Sequence, residues 1–132
     1  MAREIYWLTL TLALTLLFWI PYVLNRMTVR GLAGTFANPT REAKPLAPWA
    51  QRAQAAHANA VENLVVFAAA ALAVHVMNLG DSTTAFACAF YFFSRLVHFV
   101  VYTAGIPVLR TLAFFGGWAG SAILVARLLH LL

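Results

Sequence analysis

Seven polar side chains in an otherwise apolar sequence have types and spacings that could do chemistry. Arg52, Asn59 and Glu62 fall in one run, Arg95, His98 and Tyr102 in a second, and Arg110 follows in a third. Residues three, four and seven apart share a helix face. Arg52, Ala55, Asn59 and Glu62 therefore form one stripe, and Arg95, His98 and Tyr102 another. A charge in hydrocarbon costs several kcal/mol unless it is paired or reaches water, so polar groups inside a membrane are read first as functional. A carboxylate suits an ammonium and a guanidinium suits a carboxylate or a thiolate, so the group reads as a pocket for a charged, polar ligand. The plainer alternative is that Glu62 and Arg95 neutralise each other and only fix packing. That leaves the clustering of Asn59, His98, Tyr102 and Arg110 at one end without a reason.

The remaining polar groups carry less. His57 lies on the turn beside the first stripe and reads as an interfacial or packing residue. His75, about 220° around the same helix from Glu62 at 100° per residue, reads as a satisfied core histidine, and His130 as interfacial. Cys88 is the single cysteine, so no intrachain disulfide is possible; within an apolar run it reads as a small buried hydrophobe. No His, Cys, Asp or Glu set has metal-ligand spacing. No glycine-rich phosphate loop or serine-nucleophile motif occurs, which sets those enzyme classes aside.

The elements that must position these groups follow from composition. The 132 residues are 63% hydrophobic and 10% charged, with a mean hydropathy of +0.80, whereas ordinary soluble domains are nearer half apolar. The chain reads as an all-α integral membrane protein. Its single domain, residues 1–132, is an antiparallel up-down bundle of four transmembrane helices at about 5–24, 48–79, 83–103 and 110–132, each long enough to cross about 30 Å of hydrocarbon. The first apolar run ends in Trp19, Pro21 and Tyr22 rather than a small-residue cleavage site, so it is expected to be a retained helix. Glycines and prolines from Gly31 to Pro48 predict a surface loop. Gly116 and Gly120 on the last helix permit close helix contact, within one subunit or between subunits.

The formal net charge of +5 is not spread over a nucleic-acid-binding face. Arg26, Arg30, Arg41, Lys44 and Arg52 cluster between the first two helices and Arg110 lies in the third connection, while Arg3, Asp81 and Arg127 fall on the other side. By the positive-inside rule the first and third loops are cytoplasmic and both termini outside. Anionic lipid headgroups are expected neighbours of the basic residues.

Phe36-Ala37-Asn38-Pro39, Arg52, His57-Ala58-Asn59-Ala60-Val61-Glu62, Arg95-Leu96-Val97-His98, Tyr102 and Arg110 together resemble the MAPEG superfamily, membrane-associated proteins in eicosanoid and glutathione metabolism. The resemblance covers most of the chain and is to a bacterial-type member. It implies a homotrimer in the bacterial inner membrane, with glutathione as co-substrate bound between subunits near the cytoplasmic face. It further implies that Asn59 and Glu62 contact glutathione, Glu62 through the α-amino group, and that Arg95, His98 and Tyr102 line the site. Arg30 corresponds to a basic residue that approaches the tripeptide in relatives, and Arg110 to the arginine that stabilises the thiolate. Tyr102 or His98 would support Arg110 by hydrogen bonding. One position departs from the pattern: relatives with activity carry a second arginine where this chain has Ala55, and Arg52 on the same stripe would have to take its place.

Three readings of function follow. The first is a membrane-bound glutathione-dependent transferase or peroxidase acting on lipophilic electrophiles that enter from the bilayer. The second is a non-catalytic trimer of the same fold that binds lipid or a thiol ligand. The third is a small proton-coupled exporter, which is expected to carry a glutamate in its first helix, whereas Ile5 to Leu24 holds no charge.

Overall fold

The computed structural model describes residues 1–132 and is helical throughout, with no strands. Five helical elements follow one another: α1 (Arg3–Leu17), α2 (Ile20–Phe36), α3 (Pro48–Val76), α4 (Ser82–Ala104) and α5 (Pro107–Leu128). The first two form one continuous span of 34 residues, so four helical runs are long and apolar enough to cross a membrane.

The interruption between α1 and α2 has a covalent cause. Pro21 lies in the first turn of α2; without an N–H it cannot bond the carbonyl four residues back, and the ladder lapses there. The backbone at Phe18 and Trp19 stays in the right-handed helical region, so the direction is kept. The first helix was expected to end near Leu24, with a loop from Gly31, but helical structure continues to Phe36. Gly31 itself is non-helical, at φ 70° and ψ 175°, and the chain re-enters a helical turn beyond it. The loop proper is therefore shorter than the breaker residues suggested. It is held against α2 by Ala47 N–H donating to Asn25 Oδ1 at 3.0 Å and by Arg30 Nε donating to the Lys44 carbonyl at 2.7 Å.

Pro48 opens α3 at a first-turn position, where its missing N–H is not needed. Ala50, Ala53, Ala56 and Ala60 are all buried along one face of this helix, and these small residues let α3 approach its neighbours closely. Further along, Phe67, Ala70, Ala71 and Val74 join Leu8, Ala87, Cys88, Tyr91 and Leu124 in the apolar core. Phe67 stacks on Tyr91 with ring centroids 3.7 Å apart. His75 does not share this core: Val74 takes the inward position and His75, one residue on, is exposed at the helix end.

The α3–α4 connection is closed by Asp81, whose side chain accepts from Thr84 N–H at 2.9 Å while its own N–H donates to Thr84 Oγ1 at 2.8 Å. Asp81 also pairs with Arg127 on α5, the one ion pair in the chain. Glu4, one residue before the expected first helix, lies in the first turn of α1 and is 5% exposed, accepting from Thr84 Oγ1 at 2.6 Å. These contacts place both chain ends at the Asp81 end of the bundle. At the opposite end, Gly105 adopts φ +82° and its amide and that of Ile106 close α4 onto the Tyr102 and Val101 carbonyls. Pro107 then starts α5. Gly116, Gly117 and Gly120 are where α4 and α5 touch: a Cβ at Gly120 would lie 2.8 Å from the Ala87 carbonyl oxygen and one at Gly116 2.6 Å from Ser94 Oγ. The small-residue spacing thus serves packing inside one chain.

Outside this core the surface is apolar. Leu16, Val65, Val76, Phe86, Phe93, Val100 and Leu112 are among many large side chains left exposed along the spans, the arrangement a bilayer solvates and water does not.

Candidate functional site

The tight α4–α5 turn determines the site, because it sets Tyr102, in the last turn of α4, beside Arg110, in the first turn of α5. The Arg110 guanidinium carbon lies 4.7 Å from the Tyr102 ring centroid, a cation–π contact. Tyr102 in turn meets His98 edge-to-face at 5.5 Å between ring centroids. One turn deeper, Arg95 is 2% exposed. Its Nη2 donates to Asn59 Oδ1 on α3 at 2.7 Å and to His98 Nδ1 at 3.3 Å. Nothing in the chain meets Arg95 Nε or Nη1. Such orphaned donors on a buried guanidinium are costly, and an arginine held this way is set to receive acceptors.

Between α3, α4 and α5 lies a cavity of about 220 Å3 lined by Asn59, His98, Tyr102, Arg110, Thr111 and Phe114, with Arg95 behind its wall. The structure thus brings together five residues singled out in the sequence: Asn59, Arg95, His98, Tyr102 and Arg110. Thr111 and Phe114, which sequence reasoning missed, are one and four residues past Arg110 on α5; the i, i+4 spacing could have found Phe114, and no local pattern marks Thr111.

Three further expected residues stand elsewhere in the chain. Glu62 is exposed on the outer face of α3 and makes no ion pair, so it does not neutralise Arg95, whose partners are Asn59 and His98. Arg52 donates from Nε to the Thr103 carbonyl at 3.0 Å and lies against Gly105, where a Cβ would be 3.3 Å from its guanidinium. It satisfies the C-terminal end of α4. Arg30 faces the α2–α3 hairpin, with its Nε committed to the Lys44 carbonyl. Ala55 is exposed, so no second cation stands at that position. His57 is partly buried against the first span, its Nδ1 hydrogen-bonded to the Tyr22 hydroxyl at 2.8 Å and its ring edge-to-face with Phe18. No cluster of His, Cys, Asp or Glu could hold a metal ion.

A cavity of 220 Å3 is below the range of about 300–1,000 Å3 typical of small-molecule sites. Glu62 does not line it. The cavity wall offers one guanidinium, an imidazole, a phenol, a hydroxyl and a carboxamide, with the Arg95 guanidinium buried behind Asn59 and His98. It can hold anionic ends of a ligand and favour a thiolate over a thiol.

No curated protein and no solved structure matches this chain. The model of the MAPEG family matches residues 5–130, almost the whole length, and the four-helix membrane bundle described above is that family's fold: the chain belongs to the MAPEG family.

Proposed function

We propose that this protein is a membrane-bound glutathione-dependent transferase or peroxidase acting on lipophilic electrophiles that arrive through the bilayer. The MAPEG family includes glutathione transferases and peroxidases, and its members typically use glutathione. The observation that carries the reading is the arrangement of Arg110 over Tyr102, with Arg95 tied to Asn59 and His98 beneath them. Glutathione has two carboxylates, one ammonium and a thiol, and the donor set fits those groups. Arg95 and Arg110 offer cationic donors, Asn59 a carboxamide and Glu62 an acceptor for the ammonium. A thiol with a pKa near 8.5 is mostly protonated at neutral pH, and each unit of depression corresponds to about 1.4 kcal/mol of preferential thiolate binding. Arg110 supplies that preference at the mouth of the cavity, and Tyr102 orients the guanidinium through its ring face.

The position of Glu62 supports assembly into a homotrimer. A carboxylate on the lipid-facing surface of a membrane helix is unfavourable, and a second copy packed there would cover it and complete the undersized cavity. By the distribution of basic residues, the Arg110 end faces the cytoplasm and both termini face outward, as in a bacterial inner-membrane protein.

The second reading, a non-catalytic trimer that holds glutathione or another thiol ligand, is favoured by one observation. With Ala55 exposed and Arg52 engaged with the Thr103 carbonyl, one cation that active relatives bring to the site is missing. Detergent-solubilised protein at millimolar glutathione separates the two. Thermal stabilisation together with conjugation of broad electrophiles supports the enzyme, stabilisation without product supports the binding protein, and neither effect rules out both.

A further inference from the structure

A second cavity, of about 320 Å3, lies in the α2–α3 hairpin, away from the Arg110 cluster, where Arg30, Asn38, Thr40 and Lys44 share the wall with Ala37 and Ala43. Its shape depends on the break at Gly31. Residues four apart on a regular helix hold their Cβ atoms about 5–6 Å apart. Here a Cβ at Gly34 would lie 2.8 Å from the Arg30 Cβ. The positive φ of Gly31 folds the last turn of α2 back on Arg30, and only glycine at 34 leaves room for that. The bond from Arg30 Nε to the Lys44 carbonyl then fixes the root of the guanidinium and the path of the loop. The two terminal nitrogens of Arg30 and the Lys44 ammonium make no ion pair, and the hairpin's one acid, Glu42, does not line the cavity. Two cations, a threonine hydroxyl and a carboxamide around one small space are the donors a phosphate group takes.

The depth of the cavity indicates which molecule presents that phosphate. From Arg3 to Arg30, ahead of the break at Gly31, the span is about 42 Å long at 1.5 Å per residue, against about 30 Å of hydrocarbon. The end of α2 therefore lies at the headgroup level. Trp49, partly exposed just after the hairpin, is the residue type that anchors at this interface. We infer that the hairpin cavity of Arg30, Thr40 and Lys44 is a binding site for the phosphate of an anionic phospholipid, one per chain.

The test uses the full-length protein in nanodiscs of phosphatidylglycerol mixed with phosphatidylcholine, with retained lipid counted by native mass spectrometry. Wild type is expected to retain one phosphatidylglycerol per chain and no phosphatidylcholine. Lys44→Gln is expected to lower retention about fivefold, through loss of one cation at the membrane surface. Thr40→Val, which leaves the charge unchanged, is expected to lower it about tenfold through loss of a hydrogen bond to a charged group. Arg41→Gln removes the same charge as Lys44→Gln from just outside the cavity and is expected to change retention less than about twofold, since exposed charges are screened. Equal losses for Lys44→Gln and Arg41→Gln, or no loss for Thr40→Val, would overturn the inference in favour of a diffuse basic surface. Displacement of the lipid by millimolar inorganic phosphate, with equal thermal stabilisation by that ion alone, would overturn it in favour of a soluble phosphate.

Discussion

The two ends of the bundle use their polar groups differently. At the Asp81 end the acids are satisfied. Glu4 accepts from Thr84, Asp81 caps α4 and Arg127 pairs with Asp81. At the Arg110 end the cations outnumber their partners. Arg95 is buried with two donor nitrogens unmet, Arg110 rests on an aromatic face, and Glu62 stands exposed without a cation. Buried polar groups in folded proteins are ordinarily paired. The end that pairs its groups within the chain holds the fold together, and the end that does not is where the proposed function places the ligand.

Substitutions that exchange these roles would break the comparison. The largest effect is expected from Arg110→Gln: a fall of about 10²-fold in kcat/KM for glutathione conjugation, the scale of losing one charge-stabilising donor, with an unchanged melting temperature. At the other end, Thr84→Val leaves the Glu4 carboxylate buried without its donor. It should destabilise the protein by about 1–3 kcal/mol, read as a lower melting temperature in detergent, while the activity of the folded fraction is unaltered. Conversely, an activity loss in Thr84→Val without a stability loss would place chemistry at the Asp81 end. Glu62→Gln should raise KM for glutathione about tenfold, or about 1.4 kcal/mol, leave kcat nearly unchanged and not lower the melting temperature.

Acid gives the smallest and sharpest contrast. The Thr84 amide bonded to Asp81, aided by the Arg127 guanidinium, holds the Asp81 carboxyl below its ordinary range. A group whose pKa is depressed by folding contributes stability above its unfolded value, about 3.9, and loses that contribution as pH falls through the folded value. Acid melts of wild type and Asp81→Asn should therefore differ at neutral pH and converge below about pH 4. Curves that stay parallel through that range would show that Asp81 does not stabilise the Asp81 end.

Much of this was legible in the sequence, for a physical reason. Spans are set by hydropathy and polar stripes by helical periodicity, both local properties, so Arg95, His98 and Tyr102 could be placed on one face before any packing was known. What was not legible depends on contacts between elements. The glycines and prolines after Gly31 read as loop, but one positive φ followed by re-entry into helix is a tertiary outcome, secured by the loop bonding back to Asn25 and Arg30. Counted from Glu62 at 100° per residue, Val74 lies about 120° and His75 about 220° around α3; the buried Phe67, Ala70 and Val74 put the core on the Val74 side, and His75 falls beyond it. Arg52 shares a stripe with Asn59, yet the α4–α5 turn puts the Thr103 carbonyl within its reach, and a shared stripe does not reveal such a competing acceptor. Glu4 and its partner Thr84 are 80 residues apart, beyond what any local pattern signals.

The central claim is that the unpaired cations at the Arg110 end hold glutathione as its thiolate. Stopped-flow ultraviolet absorbance, with the protein in detergent mixed with glutathione near neutral pH, reads the thiolate directly. A saturable rise in thiolate absorbance above that of free glutathione, present in wild type and absent in Arg110→Gln, is the predicted result. Equal amplitudes in the two proteins, or no rise in wild type at millimolar glutathione, would contradict the account.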